Sequence, residues 1–232
     1  MNSIAARGNF ERAVQIFYNA FNRLPNGNVK DPFFDPITAF KLTQSTIRVE
    51  QLLLNNNTQY NFAVLNNINN GNAAQFNTEV RLNQQDTFVP TELFIGVGLP
   101  SGTTDTTWKP LTYENPAIFT AAASDSLLTL WNSGMMSITV NKDIKTVNWD
   151  LMRHYYAPQT QQTGALGLGS PTNQVCGADD GWYPMEPYVL LIGSQGIQIQ
   201  ISLPVALATV DANSRLVLMM RGVLAQNSTV VS

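Results

Sequence analysis

"GIQIQISLP" (196–204) alternates without a fault: Ile197, Ile199, Ile201 and Leu203 fall on one side, Gln198, Gln200 and Ser202 on the other. A period of two belongs to a strand with one face in a core and the other turned out. The period recurs along the chain. "FNTEVRLN" (76–83) places Phe76, Thr78, Val80 and Leu82 inward and Asn77, Glu79, Arg81 and Asn83 outward. "TFVPTELFIGVGL" (87–99) is a longer apolar run in which Pro90 marks an edge or a bulge. "IRVEQLLLN" (47–55), "QYNFAVLN" (59–66), "SLLTLWN" (126–132) and "MSITVN" (136–141) read as further strands. So do "KTVNWDLMRHYYA" (145–157), as one long strand or two, "YVLLIG" (188–193) and "SRLVLMMRGVLA" (214–225). Strands at this spacing, separated by turn signals, predict an all-β sandwich or barrel.

"TEVRLNQQDTFVPTELFIGVGL" and "GIQIQISLPVALATVDANSRLVLMMRGVL" share one order: alternating strand, polar joint, long apolar strand. This echo predicts two compact barrels, over 41–143 and 144–232, behind an N-terminal segment 1–40; a single elaborated β-sandwich is the alternative. The N-terminal segment is different in kind. In "NFERAVQIFYNAFNRLP" (9–25), Phe10, Ala13, Val14, Phe17, Phe21 and Leu24 share one helical face. Asn9 is placed to cap the helix, Pro25 ends it, and "KDPFFDP" (30–36) reads as an extended linker.

Hydrophobic residues make up 44% of 232 residues and charged residues only 12%, so the chain is a folded one with little charge. Its polarity lies in 24 Asn, 15 Gln and 21 Thr. Neutral hydrogen-bonding groups suit a protein that lies against copies of itself or against a neutral ligand. Residues 1–30 carry Arg7, Arg12, Arg23 and Lys30 against Glu11, and the rest is net acidic. A cationic arm on an anionic body directs the arm toward phosphate. No run approaches the ~18 apolar residues of a membrane span, and the first residues lack the apolar stretch of a signal peptide.

The chemistry of catalysis is thin. His154 is the single histidine and Cys176 the single cysteine, so no intrachain disulfide forms and no zinc set is evident. "IGSQG" (192–196) is not a nucleophile elbow and "GALGLGSP" (164–171) is not a dinucleotide loop. "ADDGWYPMEP" (178–187) offers Asp179, Asp180 and Glu186 as weak calcium ligands, without the spacing of an EF-hand. A glycosidase carboxylate pair has little local signature and would have to come from strand-borne acids such as Glu79 and Glu92. The expectation is no enzyme and no cofactor, calcium excepted.

A basic amphipathic N-terminal helix, jelly-roll-like strands, amide-rich loops and no catalytic set resemble one family. It is the double jelly-roll major capsid proteins of tailless icosahedral bacteriophages with an internal membrane, in the small corticovirus-like and finnlakevirus-like versions. The segments that carry the resemblance are "FERAVQIFYNAFNRL" and the two echoed stretches above. The resemblance implies a homotrimer with a pseudo-hexagonal outline, tiled with neighbouring capsomers and minor capsid proteins into an icosahedral virion shell assembled in the bacterial cytoplasm. It implies no catalytic residues and no sequence-specific nucleic-acid binding. On this reading the helix meets the viral inner membrane, Phe10, Val14, Phe17, Phe21 and Leu24 toward acyl chains and Arg7, Arg12 and Arg23 toward headgroups. The long loops at 100–116 and 158–186 then supply interface anchors, Trp108, Trp182 and Tyr183. The rival reading is a glycan-binding β-sandwich module or a minor capsid or spike protein, with the same aromatics stacking on sugars.

Overall fold

The three longest strands lie side by side in one sheet, and their sequences say why. In a computed structural model, which describes residues 3–22, 30, 31, 33, 35–66, 76–157 and 181–228, β1 (Lys41–Leu52), β3 (Thr87–Gly98) and the last strand (Arg215–Gln226) are twelve residues each. Between β3 and the last strand come β4 (Met135–Val140), β5 (Asp143–Asp150), β6 (Trp182–Pro184), β7 (Leu191–Ile192) and β8 (Ile197–Ser202), so the last is β9; β2 (Gln59–Phe62) precedes β3. β9 runs between β1 and β3, antiparallel to both. Leu216, Leu218 and Met220 of β9 enter the main core, while Val223 and Ala225 enter a second cluster on the opposite face. A strand buried on both sides has no polar face to write, so it reads as a continuous apolar run.

Two antiparallel sheets result. One has the order β1-β9-β3-β6, with β7 also on β3; the other is β2-β8-β4-β5. β6 pairs with Glu92–Phe94 and β7 with Thr87–Phe88, so the two pieces form one broken edge strand along β3. Counted that way the described residues form eight strands. The first pairs with the last (β1·β9), the second with the seventh (β2·β8), the third with the sixth (β3·β6/β7) and the fourth with the fifth (β4·β5). This is the strand order of an antiparallel ribbon rolled on itself, a jelly roll.

A single main core fills the space between the sheets, and it draws Ile47, Tyr60, Ile95, Ile138, Ile199 and Leu218 from both expected halves. Strand pairs also cross the expected boundary at 143/144. A double jelly roll is therefore not confirmed; among the described residues the all-β chain forms one two-sheet sandwich. The echo in the sequence has a simpler cause. β3 and β9 are neighbours covered on both faces, and similar burial writes similar sequence.

The expected strand 126–132 is instead part of a helix, α3 (Ala121–Ser133). Thr120 caps it, its Oγ1 accepting from Ala123 N–H, and is itself tied to Asp211 by two 2.8 Å bonds. Ala123, Leu127, Leu130 and Trp131 then fall on one helical face and enter the main core. Likewise 145–157, expected as one strand or two, is a strand and a turn: β5 ends at Asp150, whose carboxylate caps a 3-10 turn, Leu151–His154. Pro90 does mark a bulge, within β3, where the register with β9 shifts between Pro90 and Glu92. Gly222 lies opposite; a Cβ there would come within 2.0 Å of the Val89 carbonyl oxygen.

The N-terminal helix α1 (Ser3–Phe21) begins before Asn9, so Asn9 is not its cap; its side chain accepts a 3.0 Å bond from the Tyr188 hydroxyl. A short turn, α2 (Pro36–Ala39), follows, its Pro36 buried and Asp35 capping it.

Candidate functional site

The two sheets differ in what lies on their outer faces. On the five-stranded sheet, α1 covers one end. Ala13 and Phe17 are fully buried in a cluster with Phe40, Val89, Val223 and Ala225, and Phe10, Ile16 and Phe21 pack around it. Phe21 also meets Phe40 edge-on at 5.0 Å. Of the residues expected to face a membrane, Phe17 is buried against the chain's own sheet, and Phe10 and Phe21 are partly buried against the same cluster. Burial of Phe17 contributes about 1.5–3 kcal/mol. Val14 is half-buried. Arg7 and Arg12 are exposed and paired with Glu11 and Glu186, each at 3.0 Å. Arg23 and Leu24 lie outside the described residues.

The other end of the same face carries a buried ionic clasp. Arg48 and Glu50 of β1 and Arg215 of β9 point outward from the sheet, and 76–82 crosses beside them. Glu50 accepts from Arg48 at 2.9 Å, from Arg215 at 2.8 Å and from the Thr78 hydroxyl. Glu79 accepts from the backbone N–H of Glu50 at 2.8 Å and of Phe76 at 3.0 Å, and from Arg81 at 2.8 Å. Arg215 also donates to the Gly102 carbonyl at 2.7 Å and lies 4.0 Å above the Phe76 ring. The clasp thus fastens 76–82 and the loop at 102 to the sheet. The expected strand 76–83 is instead a turn with two isolated bridges, Arg48 to Val80 and Leu65 to Leu82; Leu82 is buried as expected, but two residues change places. Glu79, expected outward, is buried, and Val80, expected inward, is 54% exposed. Ion pairing and three hydrogen bonds outweigh the alternation. Burial pushes the Glu79 carboxyl pKa up, against the downward pull of its N–H donors and Arg81.

The expected interface aromatics sit within this covering. Trp108 lies flat on Gly98, where a Cβ would come within 2.1 Å of its ring, with Arg48 at 5.1 Å from its ring centroid. Trp182 packs between Phe94 and Arg221, the guanidinium 3.9 Å from its ring centroid. Both are engaged inside the chain. Tyr183 is exposed, with Arg153 lying 5.4 Å from its ring centroid.

His154 is fully buried beside Tyr183. The Trp149 indole N–H donates to its Nε2 at 2.9 Å. An indole only donates, so Nε2 is unprotonated and Nδ1–H donates to the Gly181 carbonyl at 3.0 Å. Burial, aided by Arg153, pushes its pKa down to about 4. The ring is locked neutral with both nitrogens satisfied, which leaves it none to offer a substrate.

Glu92 lies 3.9 Å from Arg221, on the sheet's outer face, and does not meet Glu79. Among the described residues no three His, Cys, Asp or Glu side chains converge as a metal site. Asp179, Asp180 and Cys176 lie outside the described residues, and Glu186 is paired with Arg12.

Among the described residues, the outer face of the four-stranded sheet is bare by contrast. Two rows cross it: Asn61, Gln200 and Ser137, then Gln198, Thr139 and Ile144. Gln200 donates to Gln59 at 3.2 Å along the face. No described helix packs on it. Ile144 and Val147, on the edge strand β5, are 58% and 60% exposed. The interface residues expected from the sequence are loop aromatics; the fault-free alternation of 196–204 already places Gln198, Gln200 and Ser202 together on this face.

No protein-family model, curated protein or solved structure matches the chain.

Proposed function

We propose that the chain is a structural subunit of a virion coat, a capsid protein that works by association with copies of itself and not by turnover. The observation that carries the reading is the strand order: first with last, second with seventh, third with sixth, fourth with fifth. Rolled sandwiches of this order serve as viral shells, lectins and metal-dependent cupins. The single histidine is buried and neutral, which weighs against a metal-dependent jelly roll. Trp108 and Trp182 are stacked on the chain's own residues, which weighs against sugar stacking. An uncharged exposed sheet face on a chain of net charge −3 favours contact with other copies.

A double jelly roll would give a homotrimer its six-sided outline. With one core per chain, three copies supply three sandwiches, and a hexagonal tile takes six. Contact with an inner membrane then falls to exposed α1 side chains such as Arg7 and Arg12 and not to its phenylalanines. The test is solution mass by light scattering with electron microscopy of the concentrated protein. Discrete oligomers or closed shells are the expected result. A monomer at every concentration, with no shells, rejects the coat reading.

A further inference from the structure

We propose that the bare face of the four-stranded sheet is where a second copy of this chain docks, face to face; the inference rests on the coat reading and names the surface it uses. On β2, β8 and β4 the central outward side chains are Asn61, Gln200, Ser137, Gln198 and Thr139, all neutral. Every one of them both donates and accepts. A two-fold contact must be complementary to itself. Amides and hydroxyls meet that condition in any register, whereas a charge on the axis meets its own like.

The rest of the surface does not. Beyond residue 30 the chain has 9 basic and 15 acidic residues, so copies approaching at random meet like charge. The rows on β2, β8 and β4 carry none of those charges; on this sheet they lie only on the β5 edge, as Asp143, Lys145 and Asp150, so the other three strands have none to desolvate.

Joining edge to edge through β5 is the competing way to pair two copies, and the edge is guarded against it. The β4–β5 register shifts twice, Asn148 has φ 53°, and Asp143 and Lys145 pair on the edge. Bulges and charges of this kind blunt an edge strand. The face carries no such guard.

Size sets the strength. Four strands about 4.8 Å apart and six residues of about 3.3 Å each span roughly 15 by 20 Å, about 300 Å². A stable complex covers about 800 Å² per partner. The contact alone is therefore weak, visible at hundreds of micromolar, and it counts in a shell where other contacts hold copies close.

The experiment uses the full chain and the variants Gln200→Lys and Gln200→Glu, with thermal melts to establish folding. Sedimentation from 10 µM to 1 mM reads association. Wild type associates with rising concentration. Each variant alone is at least tenfold weaker, and an equimolar mixture recovers, because a lysine then faces a glutamate. Folded variants that associate as wild type does, or a mixture no better than its components, overturn the proposal. If either variant fails to fold, Gln198→Lys and Gln198→Glu, on the exposed outer row, replace the pair with the same expectations. A wild type that stays monomeric to 1 mM while Gln200 amide resonances shift with a neutral oligosaccharide overturns it in favour of a glycan. Variants that still build shells sink this face and leave the coat reading standing; absence of any wild-type assembly sinks both.

Discussion

The outer faces of the two sheets have been treated in opposite ways. One is covered by a helix, an ionic clasp and stacked indoles; the other shows amides and hydroxyls to the outside. The difference is written in their strands. β9, covered on both sides, has lost its alternation, while β8, covered on one, keeps it without a fault. Alternation in a sequence thus reports what lies on a sheet more than whether a strand exists. The covered face holds the stability of the fold, and the bare one is free to be used.

The largest expected effect breaks the covering at its ionic end. Glu50→Ala leaves Arg215 buried without its carboxylate, and removal of one partner of a buried pair costs about 3–5 kcal/mol. Urea denaturation measures it. A loss below ~1 kcal/mol, no more than an exposed pair costs, means that the clasp is not integral to the face. Next comes the helical end. Phe17→Ala removes a fully buried ring and costs about 3 kcal/mol. Unchanged stability together with weaker binding to anionic lipid vesicles would show that α1 works undocked.

A comparable effect comes from pH. The folded state holds His154 near a pKa of about 4, against 6.5 for a free imidazole. As pH falls below 6.5 the unfolded chain takes the proton first, so stability is full above 6.5, declines toward 4 and then loses no more from this group. The loss at pH 4.5 is about 2–3 kcal/mol. Urea midpoints at pH 7 and 4.5 should diverge more in wild type than in His154→Gln. Equal divergence would show that other groups govern the acid limb.

How much of this was legible follows the same line. β2, β4 and β8 have one covered face and were read correctly from period two alone. At 76–83 Leu82 is buried and Asn77 and Asn83 are exposed as predicted, but Glu79 and Val80 change places: Glu79 is held inward by Arg81 and the Phe76 N–H beside it and by the Glu50 N–H of β1, a partner distant in sequence. The helix α3 was taken for a strand since "SLLTLWN" is apolar on both sides, and the helix-forming Ala121–Ala123 before it were not weighed. α1 was read as a helix with the right apolar face, but amphipathicity cannot say whether sheet or lipid receives it. The pairing of first strand with last is non-local and left no mark in the local pattern; the echo between β3 and β9 pointed to two barrels when it recorded two neighbours in one.

The smallest expected effect falls on the bare face and sharpens the comparison most. Gln200→Ala removes an exposed 3.2 Å amide contact with Gln59 and nothing from the core. Its stability change should stay within about 0.5 kcal/mol, the range of ordinary surface substitutions. Residues that hold a fold are costly to truncate; residues kept for a partner are cheap in the free chain and matter only when the partner is present. Thermal melts of Gln200→Ala at 10 µM and at 1 mM separate the two. Near-identity with wild type at low concentration and a deficit at high concentration mark a face used between copies. An equal deficit at both concentrations would place Gln200 among the residues that hold the sandwich together, and the two faces would then differ in covering but not in kind.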